Sequence, residues 1–451
     1  MKKYVQEATD INVWTSLKDN TFDRGKDIRE FIEGLELIEG NAFISLDAKW
    51  GDGKTFFVRQ IEETLKYFWA KKMETEEKPL KDLNSYEYLK ESVAVKQTTV
   101  EHIYLPVYYN AWMYDDHNDP LMSLLLVMTK QCGGAYNTKI NTKSLGERLL
   151  AVASSLPISI KKVNPATLIK DLQEGKMDIL SAVKTEEDIK ECVRDVFNDI
   201  IVEEAEKLVI FIDELDRCKP SFAIEMLERI KHYFDDERII FVVSLNKEQL
   251  IHTISNYYGS EFDSTRYLNR FFDVSINLPE ISRSQRQKVQ CTDSERFWIT
   301  LIADALSDYY GFSLRDKLIY KSSIESITRE VGDAFSSDKM YLIIFEVIVV
   351  LLDMVDAKEK KAFLEGKSNI LIDLMPRIEI YKKYIVRSFG IDIGDGYEEK
   401  LTEKYKLVQA VYEYVFGRDT EEYFKEADIS RNLKEICIRA CNGLKSQNRK
   451  K

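Results

Sequence analysis

The chain has 451 residues, of which 44% are hydrophobic and 31% charged, and its formal net charge at pH 7 is −12. This length allows two or three domains, and the composition is that of a globular enzyme and excludes a disordered chain. The negative charge argues against wrapping bare nucleic acid as the main task, so direct nucleic-acid binding is not indicated.

The first predicted strand, residues 42–46, leads through a glycine-rich loop into a helix that opens with Phe56. Such a loop binds the phosphates of a nucleoside triphosphate, because turn amides and a helix N-terminus supply positive potential. Lys54 is predicted to reach the β- and γ-phosphates, and Thr55 to ligate Mg²⁺. Ala48 stands where the usual pattern begins with glycine, and a chance turn is the alternative. The predicted binding residues form one run: Ala48, Lys49, Trp50, Gly51, Asp52, Gly53, Lys54, Thr55 and Phe56.

The second predicted strand, residues 103–109, ends at Asn110. Strand carboxyl ends in such sheets face the ligand crevice, so Asn110 could contact the attacking water or the γ-phosphate. The alternative is that Asn110 merely closes a turn against which Trp112 packs. A helix is predicted over residues 121–132, whereas residues 133–184 form an insertion-like segment with no readable pattern.

A continuous apolar run, residues 208–212, predicts a strand that is buried on both faces of a parallel sheet. It ends in Asp213 and Glu214. A carboxylate in that place can complete the Mg²⁺ shell, and the next acid can polarise the attacking water. Asp213 is therefore predicted as the metal-shell residue and Glu214 as the general base. The alternative, a solvated acidic turn, explains the charges but not their coincidence with the phosphate loop.

Another apolar run, residues 239–243, predicts the next buried strand, and Asn246 follows it closely. A polar side chain in that place can sense the γ-phosphate, so Asn246 is predicted as a catalytic residue. The alternative is that Asn246 caps the helix that comes next, and both can hold at once.

Four patches of the chain resemble the KAP family of P-loop NTPases, and they occur in the family's order. The patches are residues 48–55, 109–112, 212–218 and 267–272. The third is the most distinctive, because it carries the family's Asp-x-Leu-Asp-Arg-Cys run. The resemblance implies an ATPase with an α/β fold: a parallel P-loop sheet flanked by helices, of the additional-strand type. In that type a further strand separates the two nucleotide motifs.

The resemblance also implies a role for Arg270, which lies just before the last predicted strand. In oligomeric relatives of this ATPase class, an arginine in that place can reach the γ-phosphate of a neighbouring subunit. Arg270 is therefore predicted as a catalytic residue and the chain as a homo-oligomer. The alternative is an ion pair between Arg270 and Asp273 or another acid of the same chain.

The chain departs from the family's pattern in several places. Glu214 stands where the family often has Asp, Asn246 stands where it often has an acid, and Arg270 replaces a common Lys. The family's frequent transmembrane insertion is missing, because no segment reaches the ~20 apolar residues that a membrane helix needs. The best candidate, residues 341–352, contains Glu346 and is interpreted as a buried helix. We therefore predict a soluble, cytoplasmic protein with no integral membrane segment.

Residues 1–283 are predicted as the P-loop ATPase core, with ATP and Mg²⁺ as cofactors. Residues 284–451 follow helical spacing and are predicted as an all-helical region that binds a protein partner. The predicted function couples ATP hydrolysis to a conformational or assembly switch in bacterial antiphage defence or signalling. One alternative is a nucleotide-gated binding scaffold with negligible hydrolysis. A kinase acting on a small molecule is weaker, because kinases rarely carry Asp-Glu at this strand end.

Overall fold

A computed structural model describes a large part of the chain in several separate ranges. These are residues 7–76, 79–117, 119–134, 190–191, 193–195, 197–198, 205–279, 294–331, 336–392, 394, 396–417, 429 and 433–438. The described residues within 7–286 form one compact unit, and those within 287–451 form another. The insertion-like segment predicted at 133–184 lies outside the described residues beyond its first two positions. The predicted domain boundary at residue 283 lies outside them as well.

The first unit is an alternation of strands and helices. Its strands are β1 (Ala42–Asp47), β2 (Tyr104–Asn110), β3 (Lys207–Asp213), β4 (Ile239–Leu245) and β5 (Val274–Asn277). Its helices of four or more residues include α1 (Asp10–Lys18), α2 (Gly25–Glu36), α3 (Lys54–Lys72), α4 (Tyr86–Leu89), α5 (Val93–Gln97), α6 (Pro120–Gly134), α7 (Pro220–Tyr233), α8 (Lys247–Tyr258) and α9 (Ser264–Asn269). Short 3-10 turns follow β2 at Ala111–Tyr114 and β3 at Leu215–Arg217.

The five strands form one parallel sheet in the order β2-β3-β4-β1-β5. Strand β4 therefore lies between β1, which leads into the glycine-rich loop, and β3, which ends at Asp213. This is the additional strand that the sequence resemblance implies. The predicted fold class, a parallel P-loop sheet flanked by helices, is confirmed.

Helices cover both faces of the central strands, which explains why these strands read as continuous apolar runs. Phe211 and Val242 pack with α1, α2 and α3 on one face. Ile210 and Phe241 pack with α6, α7 and α8 on the other. The rings of Phe43 and Phe241 stack across neighbouring strands with their centroids 5.1 Å apart.

Parallel strands bring the predicted site residues to one edge of the sheet. The loop that follows β1, the Asp213 end of β3 and the Asn246 position after β4 all lie at the carboxyl edge. Strand β5 begins at the opposite edge, where the backbone N–H of Asp273 donates to the carbonyl oxygen of Phe43 at 2.8 Å. The helix α9, which carries the chain to β5, therefore ends at the amino edge.

The second unit is helical in its described residues. Its helices include α10 (Ser294–Tyr309), α11 (Leu314–Val331), α12 (Ser336–Val355), α13 (Ala357–Leu364), α14 (Ile370–Leu374), α15 (Glu379–Phe389) and α16 (Tyr397–Phe416), and the described residues 433–438 are helical as well. The run 341–352 lies inside α12 and is buried among the other helices, as the sequence predicts. Among the helices that the structure describes, none combines the length and apolarity needed to cross a membrane.

Candidate nucleotide site

Two glycines with left-handed backbone shape the loop between β1 and α3. The φ angle is 89° at Gly51 and 90° at Gly53, a region that favours glycine because it lacks a Cβ. Gly53 is also the N-cap of α3, so the helix begins directly where the loop ends. The first amides of a helix have no acceptor within the helix and attract anions. The backbone of residues 48–56 is thus suited to a phosphate group.

Lys54 is the first residue of α3, and its side chain turns back into the loop. Its ammonium donates hydrogen bonds to the carbonyl oxygens of Ala48 and, at 3.2 Å, of Lys49. Burial lowers the pKa of Lys54, and attraction to Asp216 and Asp213 opposes that shift. Both hydrogen-bond acceptors are neutral, so an anionic phosphate oxygen within reach is a stronger partner for this ammonium.

Asp213 is the last residue of β3, and its side chain is almost completely buried. Its Oδ2 accepts a hydrogen bond from the hydroxyl of Tyr108 at 3.0 Å. Its Oδ1 accepts one from the backbone N–H of Glu214, also at 3.0 Å. The carboxylate is therefore fixed in orientation by one donor on each oxygen.

The side chains at this edge fit a magnesium ion. Thr55, the second residue of α3, offers a hydroxyl oxygen, and Asp213 offers a carboxylate, which are the hard ligands that Mg²⁺ prefers. In nucleotide sites Mg²⁺ is usually held by one or two protein oxygens together with phosphates and waters. The described residues contain no group of three or more His, Cys, Asp or Glu side chains that could hold a metal ion alone.

Glu214 has a backbone conformation that is unusual for a residue with a Cβ. Its φ and ψ angles are 59° and 28°, in the left-handed region, where such a residue costs on the order of 1–3 kcal/mol. Its Oε1 pairs with the guanidinium of Arg217 at 3.2 Å, and its Oε2 accepts from the amide of Asn110 at 3.4 Å. Burial raises the pKa of Glu214, and the charge of Arg217 opposes that rise.

Asn110 uses both ends of its side-chain amide. Its Oδ1 accepts a hydrogen bond from the backbone N–H of Met113 at 3.3 Å, which closes the turn after β2. Its Nδ2 donates to Glu214. Asn110 on β2 is paired with Asp213 on β3, so Glu214, the residue after Asp213, lies within reach of Asn110. Asn110 thus closes the turn, as the alternative from the sequence predicts, but Trp112 is half exposed, and Asn110 also contacts the predicted base.

Asn246 lies at the carboxyl end of β4, between the loop strand and the Asp213 strand. It is the N-cap of α8, and its Oδ1 accepts from the backbone N–H of Gln249 at 3.2 Å. The capping alternative is confirmed by this contact. The predicted role of Asn246 toward the γ-phosphate stays a prediction.

Arg270 lies at the opposite edge of the sheet from the other predicted site residues. It follows α9 and precedes β5, whose residue Val274 pairs with Ile44 in the first half of β1. The glycine-rich loop begins after Asp47, the last residue of β1. From Ile44 to Asp47 the strand extends by about three residues, or about 10 Å. The structure thus brings Arg270 into no contact with the loop of its own chain.

The predicted alternative for Arg270, an ion pair with Asp273, is not found. Asp273 instead pairs with Lys231 at 3.2 Å and accepts a hydrogen bond from the backbone N–H of Phe43 at 2.9 Å. Arg270 is exposed, and within the part of the chain that the structure describes it forms no ion pair. Its guanidinium is therefore accessible from outside the chain.

A comparison with known protein families matches residues 27–311 to the model described as the KAP family P-loop domain. The matched residues cover more than half of the chain. The chain belongs to the KAP family. It is accordingly a P-loop NTPase, a class of nucleotide-binding proteins that hydrolyse nucleoside triphosphates. No curated protein matches the chain.

Two residues of the KAP motifs form a contact that the sequence analysis does not assign. The indole N–H of Trp50, in the loop, donates a hydrogen bond to Oδ2 of Asp216, in the turn after β3. Asp216 is also the carboxylate with the largest attraction for Lys54. The two nucleotide motifs of this KAP protein are thus joined directly. The sequence signals this contact only by having an indole in the first motif and a second acidic residue in the other.

Tyr108 is the other site residue that sequence reasoning misses. It lies one position before the Tyr109–Trp112 patch that matches the KAP pattern, in the interior of β2. Its contact with Asp213 depends on the register of β2 against β3, which pairs Tyr108 with Phe211. Strand register is not visible in the sequence, so no pattern in this chain points to Tyr108.

Proposed function

We propose that this KAP NTPase binds ATP with Mg²⁺ at the carboxyl edge of the sheet and hydrolyses it. The observation that carries the proposal is the meeting of Lys54, Asp213 and Glu214 at that edge. Lys54 lies close enough to Asp213 for their attraction to oppose the lowering of the Lys54 pKa by burial. Glu214 follows Asp213 directly in the chain. The reaction needs a lysine that binds the phosphates, a carboxylate that completes the metal shell and a second carboxylate that orients the attacking water.

Each residue then has one task in the proposed reaction. Lys54 binds oxygens of the β- and γ-phosphates, and Thr55 and Asp213 hold Mg²⁺. When bound by these residues, Mg²⁺ would supply positive charge to the transferred phosphoryl group. Glu214 orients the attacking water and accepts its proton, and the pKa of Glu214, which burial raises, makes it a stronger base than an exposed carboxylate. Asn246 contacts the γ-phosphate from the end of β4.

The alternative function, a nucleotide-gated scaffold with negligible hydrolysis, is favoured by one specific observation. Both carboxylate oxygens of Glu214 already have partners, Arg217 on Oε1 and Asn110 on Oε2. Each oxygen keeps a lone pair that can accept a hydrogen bond from water, but both partners hold the carboxylate in place, and the charge of Arg217 makes it a weaker base. If these contacts keep Glu214 away from the attacking water, the protein binds ATP and hydrolyses it only very slowly.

We also propose that the protein acts as a homo-oligomer in which Arg270 of one copy reaches the ATP of the next. Arg270 lies at the amino edge of the sheet, whereas its own loop lies at the carboxyl edge. Its guanidinium can therefore stabilise transition-state charge only at the site of another molecule. The exposure of Arg270 supports the same arrangement.

The surroundings of Arg270 have the composition of an interface. A cleft with a volume of about 330 Å³ lies beside α9 and is lined by Tyr258, Phe262, Asp263, Arg266, Tyr267 and Arg270. Tyr258 and Phe262 are exposed, and their ring centroids lie 4.5 Å apart. Tyrosine and arginine are enriched among residues that dominate protein–protein binding energy. We assign this surface to the contact between copies.

The setting that we propose is a cytoplasmic switch in antiphage defence or signalling, with a protein partner bound by the second unit. The support for the partner site is indirect, because every residue assigned to the nucleotide lies in the first unit. Tyr412 of α16 packs on Phe363, so removing the residues after 400 would disrupt the core of the second unit. Capture experiments should instead compare full-length Glu214→Gln and Lys54→Ala proteins. A nucleotide-gated partner is retained by Glu214→Gln with ATP and is lost by Lys54→Ala.

Replacing Lys54 by alanine should weaken ATP binding by about 10- to 100-fold. A hydrogen bond to a charged group contributes about 1.5–3 kcal/mol, and each 1.4 kcal/mol changes a dissociation constant about tenfold. Titration calorimetry with Mg²⁺ and a non-hydrolysable ATP analogue measures this change. The matched control is Lys71→Ala, since the Lys71 side chain is exposed and lies in the last turn of α3, the helix that Lys54 begins. Equal losses in both variants would remove Lys54 from the phosphate site.

A further inference from the structure

The carboxylate of Asp213 is held by a side chain from a neighbouring strand. The hydroxyl of Tyr108 donates to Oδ2 of Asp213 at 3.0 Å, while Oδ1 accepts from the backbone N–H of Glu214 at 3.0 Å. An ionised carboxylate oxygen can accept two such interactions. Each oxygen of Asp213 thus has one fixed donor and keeps a lone pair for a metal ion or for a metal-bound water.

The sheet register explains how Tyr108 reaches Asp213. Strands β2 and β3 run parallel, and Tyr108 pairs with Phe211, two residues before Asp213. Side chains two residues apart on a strand lie on the same face, so Phe211 and Asp213 share the face that Tyr108 occupies. Neighbouring Tyr109 lies on the other face, where its hydroxyl is 2.7 Å from the hydroxyl of Ser123 on α6.

Two further contacts fix the position of Tyr108. The side-chain amide of Gln131 on α6 accepts from the backbone N–H of Tyr108 at 3.1 Å and donates to its carbonyl oxygen at 2.6 Å. The guanidinium of Arg59 on α3 lies 4.8 Å from the centre of the Tyr108 ring. Arg59 itself is tied by ion pairs to Glu62 and, at 2.6 Å, to Asp10. The contacts with Gln131 and Arg59 thus hold the Tyr108 hydroxyl in its position beside Asp213.

We infer that Tyr108 is a positioning residue for the magnesium site. It acts through Asp213, whose carboxylate it holds in the orientation that the metal shell requires. The inference rests on the proposed function, because it assigns Asp213 to that shell. Removing a group that hydrogen-bonds to a metal ligand typically lowers metal affinity or activity by about 10- to 100-fold.

The test compares Tyr108→Phe with Tyr109→Phe in the full-length protein. Each variant loses one tyrosine hydroxyl from the same strand, but only the first loses a donor to Asp213. Binding of Mn²⁺ is measured by electron paramagnetic resonance in the presence of a non-hydrolysable ATP analogue. We expect Tyr108→Phe to bind Mn²⁺ about 10- to 100-fold more weakly than the wild type, and Tyr109→Phe to bind it equally well.

Two further readouts separate positioning from a general loss of structure. Affinity for the ATP analogue without any divalent ion should be the same in all three proteins, because Tyr108 has no role toward the phosphates. Hydrolysis by Tyr108→Phe should recover when Mg²⁺ is raised, so that the half-maximal Mg²⁺ concentration changes more than the maximal rate.

The results that overturn the inference are distinct from those that overturn the proposed function. If the wild type binds Mn²⁺ with the analogue and Tyr108→Phe binds it equally well, Tyr108 does not position Asp213. Equal weakening in both tyrosine variants assigns the effect to packing of β2 and overturns the inference too. If the wild type itself binds no Mn²⁺ with the analogue, the proposed function fails and the inference fails with it.

Discussion

Replacing Glu214 by glutamine is expected to slow ATP hydrolysis by ~10²-fold or more while ATP binding is retained. Glutamine has nearly the same shape, and its single carbonyl oxygen can still accept from one of the two donors, Arg217 or Asn110, that contact the glutamate in this structure. It cannot take a proton from water, so the chemical step alone is affected. Single-turnover hydrolysis and equilibrium binding of ATP, measured on the same preparation, separate the two effects.

A matched control exists on α7. Glu225→Gln removes one exposed carboxylate of the first unit and should leave both ATP binding and turnover unchanged. If Glu214→Gln hydrolyses ATP at the rate of the wild type, the assignment of Glu214 as the base is wrong. Its contacts with Arg217 and Asn110 would then serve only to hold the turn after β3.

Replacing Arg270 by alanine is expected to lower turnover by ~10³-fold and to leave ATP affinity almost unchanged. The reason is the position of Arg270 at the amino edge of the sheet, remote from the loop of its own chain. A guanidinium that arrives from a neighbouring copy acts on transition-state charge and contributes little to binding of ATP by the isolated chain. Arg266→Ala is the comparison variant, since Arg266 lies one helical turn earlier, is exposed and lines the same cleft, so it should weaken assembly without lowering the turnover of the assembled protein.

Mixing two inactive proteins tests whether Arg270 acts between copies. Arg270→Ala protein keeps an intact Glu214, and Glu214→Gln protein keeps an intact Arg270, so a mixed interface carries both groups. Activity should then return in the mixture although each variant alone is nearly inactive. Absence of rescue in an oligomer shown to contain both variants would make Arg270 a local structural residue.

The parallel sheet and the site residues at its carboxyl edge can be predicted from the sequence, because both depend on short-range patterns. The buried strands β3 and β4 read as apolar runs, since helices cover both of their faces. Parallel strands place their carboxyl ends at one edge, so Asp213 and Asn246 could be assigned to the same edge as the loop. The order of the strands, with β4 between β1 and β3, came only from the resemblance to the KAP family.

Other parts of the site depend on pairings between distant residues, and no pattern in one sequence reveals them. The donor to Asp213 is Tyr108, which lies 105 positions away in the chain. The link between Trp50 and Asp216 spans 166 positions. The left-handed backbone of Glu214 was also not predicted, because sequence patterns reserve that conformation for glycine and asparagine.

The direction in which Arg270 acts could not be decided from the sequence either. An arginine before the last strand fits an ion pair with Asp273 as well as a contact with another copy. The structure shows Asp273 paired with Lys231, which removes the first option. The position of α9 at the amino edge follows from the pairing of β5 with β1, and such pairing becomes visible only in three dimensions.

We propose that one site, built from Lys54, Asp213 and Glu214, both binds and hydrolyses ATP. To test this, excess purified protein is incubated with γ-labelled ATP and Mg²⁺, and bound ATP and released phosphate are then measured. We expect the wild type to bind ATP and to release phosphate, and Lys54→Ala to bind ATP about 10- to 100-fold more weakly and to release correspondingly less phosphate. Bound ATP without released phosphate would favour the scaffold alternative. If the wild type binds no ATP, the assignment of this edge of the sheet to a nucleotide is wrong.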